Sequence, residues 1–227
     1  MKWYYIVLIC LSTSCNTKTA EEYLQEGHAA GVTGNYTQAI ALFDKAIATD
    51  PQLKEAYIKK AFSYENLKKD KAAVAAYKAL LAIDTANTRA LFSAARCCYR
   101  MKQFTEAISF YNKALQAKGI IHPTDTMNRK QITISRATKA TNGFDVPLYE
   151  IYFNRGIAYY ANLQYPMGFY DFETCIAQNY LPGDCNYFIG LYWLNKQDAK
   201  KACESFRVAA VLYGNAEARK QLLQHCK

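Results

Sequence analysis

The side chains that could act as nucleophiles, proton carriers or metal ligands in this sequence are its eight cysteines and three histidines. His28, His122 and His225 lie in distant parts of the chain, and nothing in the sequence places any of them beside a nucleophile. A catalytic base needs such a partner within hydrogen-bond reach. The sequence also has no glycine-rich phosphate loop, paired-carboxylate motif or Ser/His/Asp arrangement. We therefore expect no enzymatic activity and no cofactor.

Two of the cysteines fall within or just after the first 14 residues, which have the features of an export signal. Lys2 precedes an apolar stretch of about nine residues, too short for a membrane span, which needs about 20. The following "LSTSC" resembles the lipobox of bacterial lipoproteins, although Ser12 stands where that family usually has leucine. By this resemblance Cys15 is the lipid attachment site and the new N-terminus. The alternative is an ordinary secretory signal that is cut nearby.

The composition favours a folded, helical chain. About half of the residues are hydrophobic, which excludes a mostly disordered protein, and proline and glycine are few. The net charge of +9 suits nucleic acid, anionic membranes or acidic proteins, or simply a lysine-rich helical surface. No RNA-binding signature or zinc-finger spacing appears, and export conflicts with nucleic acid as a partner.

Small residues and aromatic rings recur every 34 residues along the chain. The small column reads Ala39, Ala73 and Ala107, then Gly168 and Ala202; the aromatic column reads Phe43, Tyr77 and Tyr111, then Phe172 and Phe206. From Ala107 to Gly168 the spacing is about one period plus 27 residues, so we expect five units with an insertion after the third.

Each unit has the pattern of two amphipathic helices. In the first unit Tyr23 and Gly27 lie on one face of a helix, Gly34 and Asn35 interrupt it, and Pro51 marks the end of the next. One hairpin cannot bury its own apolar face, so the units must stack.

These columns resemble the tetratricopeptide repeat. In the first unit the residues that carry the resemblance are Tyr23, Gly27, Ala39, Phe43, Ala46 and Pro51. The resemblance implies an all-α fold, a right-handed superhelical solenoid of about five helix-turn-helix repeats. We expect repeats 1–3 over 15–119, an insertion over 120–147, repeats 4–5 over 148–214 and a C-terminal capping helix over 215–227, started by Asn215.

Six cysteines remain once Cys10 and Cys15 are set aside. Cys98 and Cys175 fall in core columns, and the adjacent Cys97 and Cys98 point in different directions on a helix, so we expect no metal site. Cys203 lies on the second helix of the last repeat, and Cys226 ends the helix that should pack there. This pair is our candidate disulfide, which export would allow.

The insertion carries four basic side chains against two acidic ones, and "RKQITIS" within it suggests a short strand or hairpin arm. It is either a basic arm that contacts a partner or a tolerated, partly mobile insertion, and the sequence leaves the two open.

In tetratricopeptide stacks the first helix of each pair forms the concave wall, and the resemblance therefore implies a binding groove. The inward residues expected here are Phe62, Phe92, Arg96, Tyr99, Phe153, Asn154, Tyr160 and Tyr187. The alternative is that several of these rings merely pack between helices. Arg89, Arg96 and Arg100 share one helix and favour an acidic segment. We expect the family's carboxylate clamp to be absent from the first repeat, because Leu24 and His28 occupy its positions.

The sequence-based hypothesis is an exported protein of the cell envelope, anchored in a bacterial membrane by lipid, that binds a protein or peptide partner in the groove. One alternative is a thiol-dependent redox accessory protein with a reactive thiol of low pKa at Cys97 or Cys98. Another is a glycan-binding subunit of the envelope that stacks sugars on tyrosine rings.

Overall fold

The computed structural model describes residues 18–118 and 146–226, and over these ranges the secondary structure is helical. The helices are α1 (Ala20–Val32), α2 (Tyr36–Thr49), α3 (Lys54–Asn66), α4 (Asp70–Ile83), α5 (Thr88–Arg100), α6 (Phe104–Ala117), α7 (Leu148–Ala161), α8 (Tyr165–Ala177), α9 (Pro182–Asn195), α10 (Ala199–Arg207), which continues into a π-helical turn (Val208–Leu212), and α11 (Ala216–His225).

Consecutive helices form five antiparallel hairpins, and each hairpin packs on the next: α2 on α3, α4 on α5, α6 on α7 and α8 on α9. The expected all-α solenoid of five helix-turn-helix repeats with a capping helix is confirmed. Cys15 and the insertion as far as residue 145, with its expected strand, lie outside the described residues.

Local sequence explains where these helices begin and end. Thr19 and Glu22 form a reciprocal capping box at the start of α1. Gly34, with φ of 80°, reverses the chain after α1, and the Asn35 side chain then accepts a hydrogen bond from the Gln38 backbone. Asn215 caps α11 by accepting from Ala218 N at 2.8 Å.

The repeated columns form the core. The ring column, from Phe43 to Phe206, is at most 2% exposed at every position, and the alanines of the small column, one turn earlier on the same helices, are fully buried. Each ring fills the space inside its own hairpin, which fixes the first helix of each pair against the second. The first helices therefore present a shared surface, with α1 contacting α3 and α5 contacting α7.

Candidate functional site

A cleft of about 160 Å³ opens between the first helices of the third and fourth hairpins. Its lining combines two arginines, two tyrosines, an asparagine and an isoleucine: Arg96, Tyr99, Arg100, Tyr111, Asn154 and Ile157. Three of the eight predicted groove residues, Arg96, Tyr99 and Asn154, therefore come together here. A cation, amide and hydroxyl groups, and apolar ring faces are the elements that a peptide site combines.

Arg96 supplies a positive charge at the cleft. It is exposed, and its guanidinium lies over the ring of Phe92, 5.9 Å from the centroid. No carboxylate within the described ranges forms an ion pair with it. An exposed arginine held over an aromatic ring keeps its hydrogen-bond donors for an acidic or carbonyl group of a ligand.

Phe92 itself does not line the groove, contrary to the sequence-based prediction. It is 2% exposed and packs against Tyr111 at 5.7 Å between ring centroids. Arg96 follows Phe92 by one helical turn on α5, and its guanidinium covers the ring. The contribution of Phe92 is therefore to support the arginine from the core side.

Arg100 is neutralised by neighbours from the second hairpin. Its guanidinium donates to both carboxylate oxygens of Asp70, at 3.0 and 3.1 Å from Nε, and to Glu65 at 2.8 Å. Tyr77 donates to the same Glu65 at 2.7 Å, and burial together with this carboxylate raises the tyrosine pKa. Arg100 thus ties hairpins 2 and 3 together, and Arg96 remains as the cleft's available cation.

Asn154 approaches from the opposite wall. Its amide nitrogen donates to the Glu150 carbonyl at 2.8 Å, within α7. The side-chain oxygen is then the group left to accept a hydrogen bond from a ligand. Tyr99 is half-buried and packs on Phe104 at 5.4 Å, so its position is fixed by the hairpin.

The remaining predicted groove residues divide into one exposed ring and three packed ones. Phe62 is 58% exposed on α3, at the position in its repeat that Arg96 occupies in the next. Phe153 packs edge-on against Phe172, as Tyr160 does against Phe188. The ring centroid of Tyr187 lies 6.2 Å from that of Phe206. The last three pack between helices and stay partly exposed, so their assignment to the groove surface stays a prediction.

Two lining residues, Tyr111 and Ile157, were missed in the sequence analysis. Ile157 occupies the repeat position of Arg96 and Phe62, so the period alone could have identified it. Tyr111 was assigned to the core column, and it is 1% exposed. Its presence at the cleft floor depends on the space left between α5 and α7, which no sequence pattern reports.

Cys97 and Cys98 do not form a reactive site. Cys97 and Cys98 are fully buried on α5, and burial raises the pKa of Cys97 to about 12 and that of Cys98 to about 11. A thiol with such a pKa is almost entirely protonated at neutral pH and is a poor nucleophile. The predicted pair Cys203 and Cys226 is joined as a disulfide, with the Cα atoms 5.7 Å apart.

Over residues 18–118 and 146–226, no group of three or more His, Cys, Asp or Glu side chains could hold a metal ion. In the same ranges, no helix has both the length and the apolar character that a membrane crossing requires.

Comparison with known proteins identifies the type of fold. The family described as "Anaphase-promoting complex, cyclosome, subunit 3" matches residues 32–114, less than half of the chain. No curated protein sequence matches the chain.

Solved structures match nearly the whole chain, at low identity. One reported as MamA protein has a TM-score of 0.67 and 16% identity, covering 92% of this chain and 96% of its own. YrrB, described as a TPR protein with an unusual peptide-binding site, has a TM-score of 0.69 and 16% identity, covering 92% and 94%. MamA from Desulfovibrio magneticus RS-1 has a TM-score of 0.64 and 14% identity, covering 93% and 99%. The fold of this chain is therefore a tetratricopeptide-type solenoid.

Proposed function

We propose that this protein is an exported, membrane-anchored interaction scaffold that holds an extended segment of a partner protein in the cleft between α5 and α7. The observation that carries the proposal is the cleft itself, which brings Arg96, an arginine with no ion-pair partner among the described residues, together with Asn154, Tyr111 and Ile157. That the similarly folded YrrB is described as having a peptide-binding site supports it.

The chemistry of the cleft favours a segment with an acidic side chain. Arg96 has no carboxylate partner among the described residues, whereas Arg100 is already satisfied by Asp70 and Glu65. A carboxylate on Arg96 would form charge-assisted hydrogen bonds. The oxygen of Asn154 can accept from a backbone N–H of the same segment, and the exposed Phe62 offers an apolar contact one repeat away.

Export and anchoring are supported by the basic and apolar leader, by the lipobox-like end at Cys15 and by the Cys203–Cys226 disulfide. Disulfides persist mainly in oxidising compartments. Growth with a labelled fatty acid tests the anchor: label should enter the native chain and not Cys15→Ser. Equal labelling of the two proteins would contradict lipid attachment at Cys15.

Among the alternatives, a thiol-dependent redox role is disfavoured by the burial and raised pKa of Cys97 and Cys98. A glycan-binding role remains as the rival to a peptide ligand. It is less favoured, because the tyrosines that would stack sugars are largely packed between helices rather than displayed.

Selection from a random peptide library tests the cleft directly. Peptides would be selected on the folded native chain alone, and their binding to Arg96→Glu would be measured afterwards. We expect the selected set to be enriched in Asp and Glu and to bind Arg96→Glu at least tenfold more weakly, since a charge reversal replaces attraction by repulsion.

Arg219→Glu is the matched control, because it makes the same charge change on an exposed residue of α11, away from the cleft. Peptides that bind native, Arg96→Glu and Arg219→Glu chains equally would move the site elsewhere. Failure to select any peptide, together with binding of polysaccharide fragments, would replace the peptide ligand by a glycan.

A further inference from the structure

Two of the four free cysteines in the described part of the chain lie at the junction between the fourth and fifth hairpins. Cys175 is in the last turn of α8, and Cys185 is in the first turn of α9. Both are fully buried, and the structure holds both as thiols. The cleft and the Cys203–Cys226 disulfide do not involve either of them.

The repeat places these two positions in two columns that are buried at every junction between hairpins. The column of Cys175 holds Ala46, Leu80 and Ala114 on the second helices, and the column of Cys185 holds Ala56, Ala90 and Ile151 on the next first helices. All eight residues are fully buried. The two columns line the contact between one hairpin and the next, and most of their residues are small because the helices approach closely there. At the last junction both positions are cysteine.

The contacts around the two thiols place them together. Cys175 Sγ donates to the Tyr149 carbonyl at 3.4 Å, and Cys185 Sγ donates to the Tyr180 carbonyl at 3.5 Å. The Tyr149 and Tyr180 rings are 4.5 Å apart. The pKa of the Cys175 thiol is raised, first by a hydrogen bond with Cys185 and then by burial.

We propose that Cys175 and Cys185 form a second disulfide when the chain folds in an oxidising compartment, and that this bond clips the fourth repeat to the fifth. The oxidant is a disulfide of the glutathione class. One thiolate attacks it and releases one thiol, leaving a mixed disulfide on the protein. The second thiolate then attacks the protein sulfur of that mixed disulfide and releases the other thiol. Two protein thiols are oxidised to one disulfide, and one oxidant disulfide is reduced to two thiols.

Because both sulfurs are buried once α9 has closed on α8, the exchange takes place during folding, when a soluble oxidant can still reach them. The finished bond is protected from reduction for the same reason. This bond would join α8 to α9, and the Cys203–Cys226 disulfide joins α10 to the end of α11. The C-terminal part of the solenoid would then carry two covalent links.

A tryptic digest separates the relevant cysteines. Cys175 and Cys185 fall alone in the peptide 156–196, while Cys203 lies in "ACESFR" and Cys226 in "QLLQHCK". The full chain would be refolded with mixtures of reduced and oxidised glutathione, made more oxidising until the last two peptides are fully linked. It would then be denatured with iodoacetamide, without reductant, and digested.

We expect peptide 156–196 to be unalkylated and two hydrogens lighter than its reduced form. A doubly alkylated peptide, a glutathione adduct or a link from either cysteine to "CCYR" at 97–100 would overturn the proposal. The linked Cys203–Cys226 peptide in the same digest shows that the conditions oxidise a disulfide of this protein.

The double variant Cys175→Ala, Cys185→Ala gives an independent readout, since alanine is what the first junction has at Ala46 and Ala56. The native chain should gain about 5 °C more in melting temperature on oxidation than this variant does, because the variant keeps only the Cys203–Cys226 bond. Equal gains would contradict a second bond.

Discussion

At the scale of single residues, the repeat pairs a small residue on the first helix with a ring on the second. A Cβ added at Gly27 would lie 2.6 Å from Phe43 Cε1, and one at Gly156 would lie 2.9 Å from Phe172 Cε1. At Gly190 the added atom would overlap the ring of Phe206, which is fully buried. These glycines are therefore required by packing rather than by backbone conformation.

Gly190→Ala should lower the free energy of unfolding by about 1–3 kcal/mol, because the ring of Phe206 has no room to move aside. Gly31→Ala is the matched control, since its added Cβ would meet only Ala39 Cβ, at an ordinary 3.9 Å. That change should be neutral or slightly stabilising, as alanine is the better helix former. Urea unfolding of both variants gives the comparison, and equal effects would contradict the packing argument.

A buried ion pair provides the second prediction at this scale. Arg155 is 4% exposed and donates two hydrogen bonds to Asp171, at 2.8 and 2.7 Å, and a third to Asn112 at 2.7 Å. Asp171→Asn should cost about 3–5 kcal/mol, because it leaves the arginine charge buried without its counter-charge.

The double variant Arg155→Met, Asp171→Leu removes both charges and should recover much of that loss in the same unfolding experiment. If the single and double variants were equally destabilised, the loss of unfolding free energy would come from altered packing rather than from the unpaired charge.

At the scale of elements, the capping helix α11 depends on its covalent link. Ala218 is the one fully buried residue of this helix, whereas Leu223 is 80% exposed, so packing alone holds α11 weakly. Cys203→Ser should therefore lower stability by about 3 kcal/mol under oxidising conditions. Hydrogen exchange should rise in α11 and the π-helical turn while α1–α4 keep the exchange rates of the native chain. Uniform loss of protection would contradict a local role.

The 34-residue period was enough to predict every hairpin, because the spacing of Ala39, Phe43 and their repeats is imposed by the packing inside each unit. The groove was predicted less well. Phe92 and Arg96 lie one turn apart on the same side of α5, and the sequence cannot show that Tyr111 and the arginine bury the ring between them. The partners of Arg100 were equally hidden, since they come from the preceding hairpin at sequence separations that no local pattern covers.

At the scale of the whole molecule, the stack continues across the chain segment 119–145. Helix α6 packs on α7 as the other second helices pack on the next first helix, and Asn112 of α6 accepts a hydrogen bond from Arg155 of α7. The buried Val146 completes this junction. A solenoid derives its stability from such nearest-neighbour interfaces, so the connection itself need not contribute.

Replacing residues 119–145 with a Gly/Ser link of a few residues therefore tests what the insertion does. Other hairpins are joined by short connections, such as the one between α4 and α5, and the packing of α6 on α7 should keep the fold intact. The shortened chain should unfold cooperatively, with a melting temperature within a few degrees of the native value. It should also bind acidic peptides selected on the cleft as the native chain does, because Arg96, Tyr99 and Asn154 lie on the helices. Loss of binding by a folded shortened chain would assign the insertion to the binding surface, whereas loss of folding would show that the α6–α7 interface is insufficient by itself.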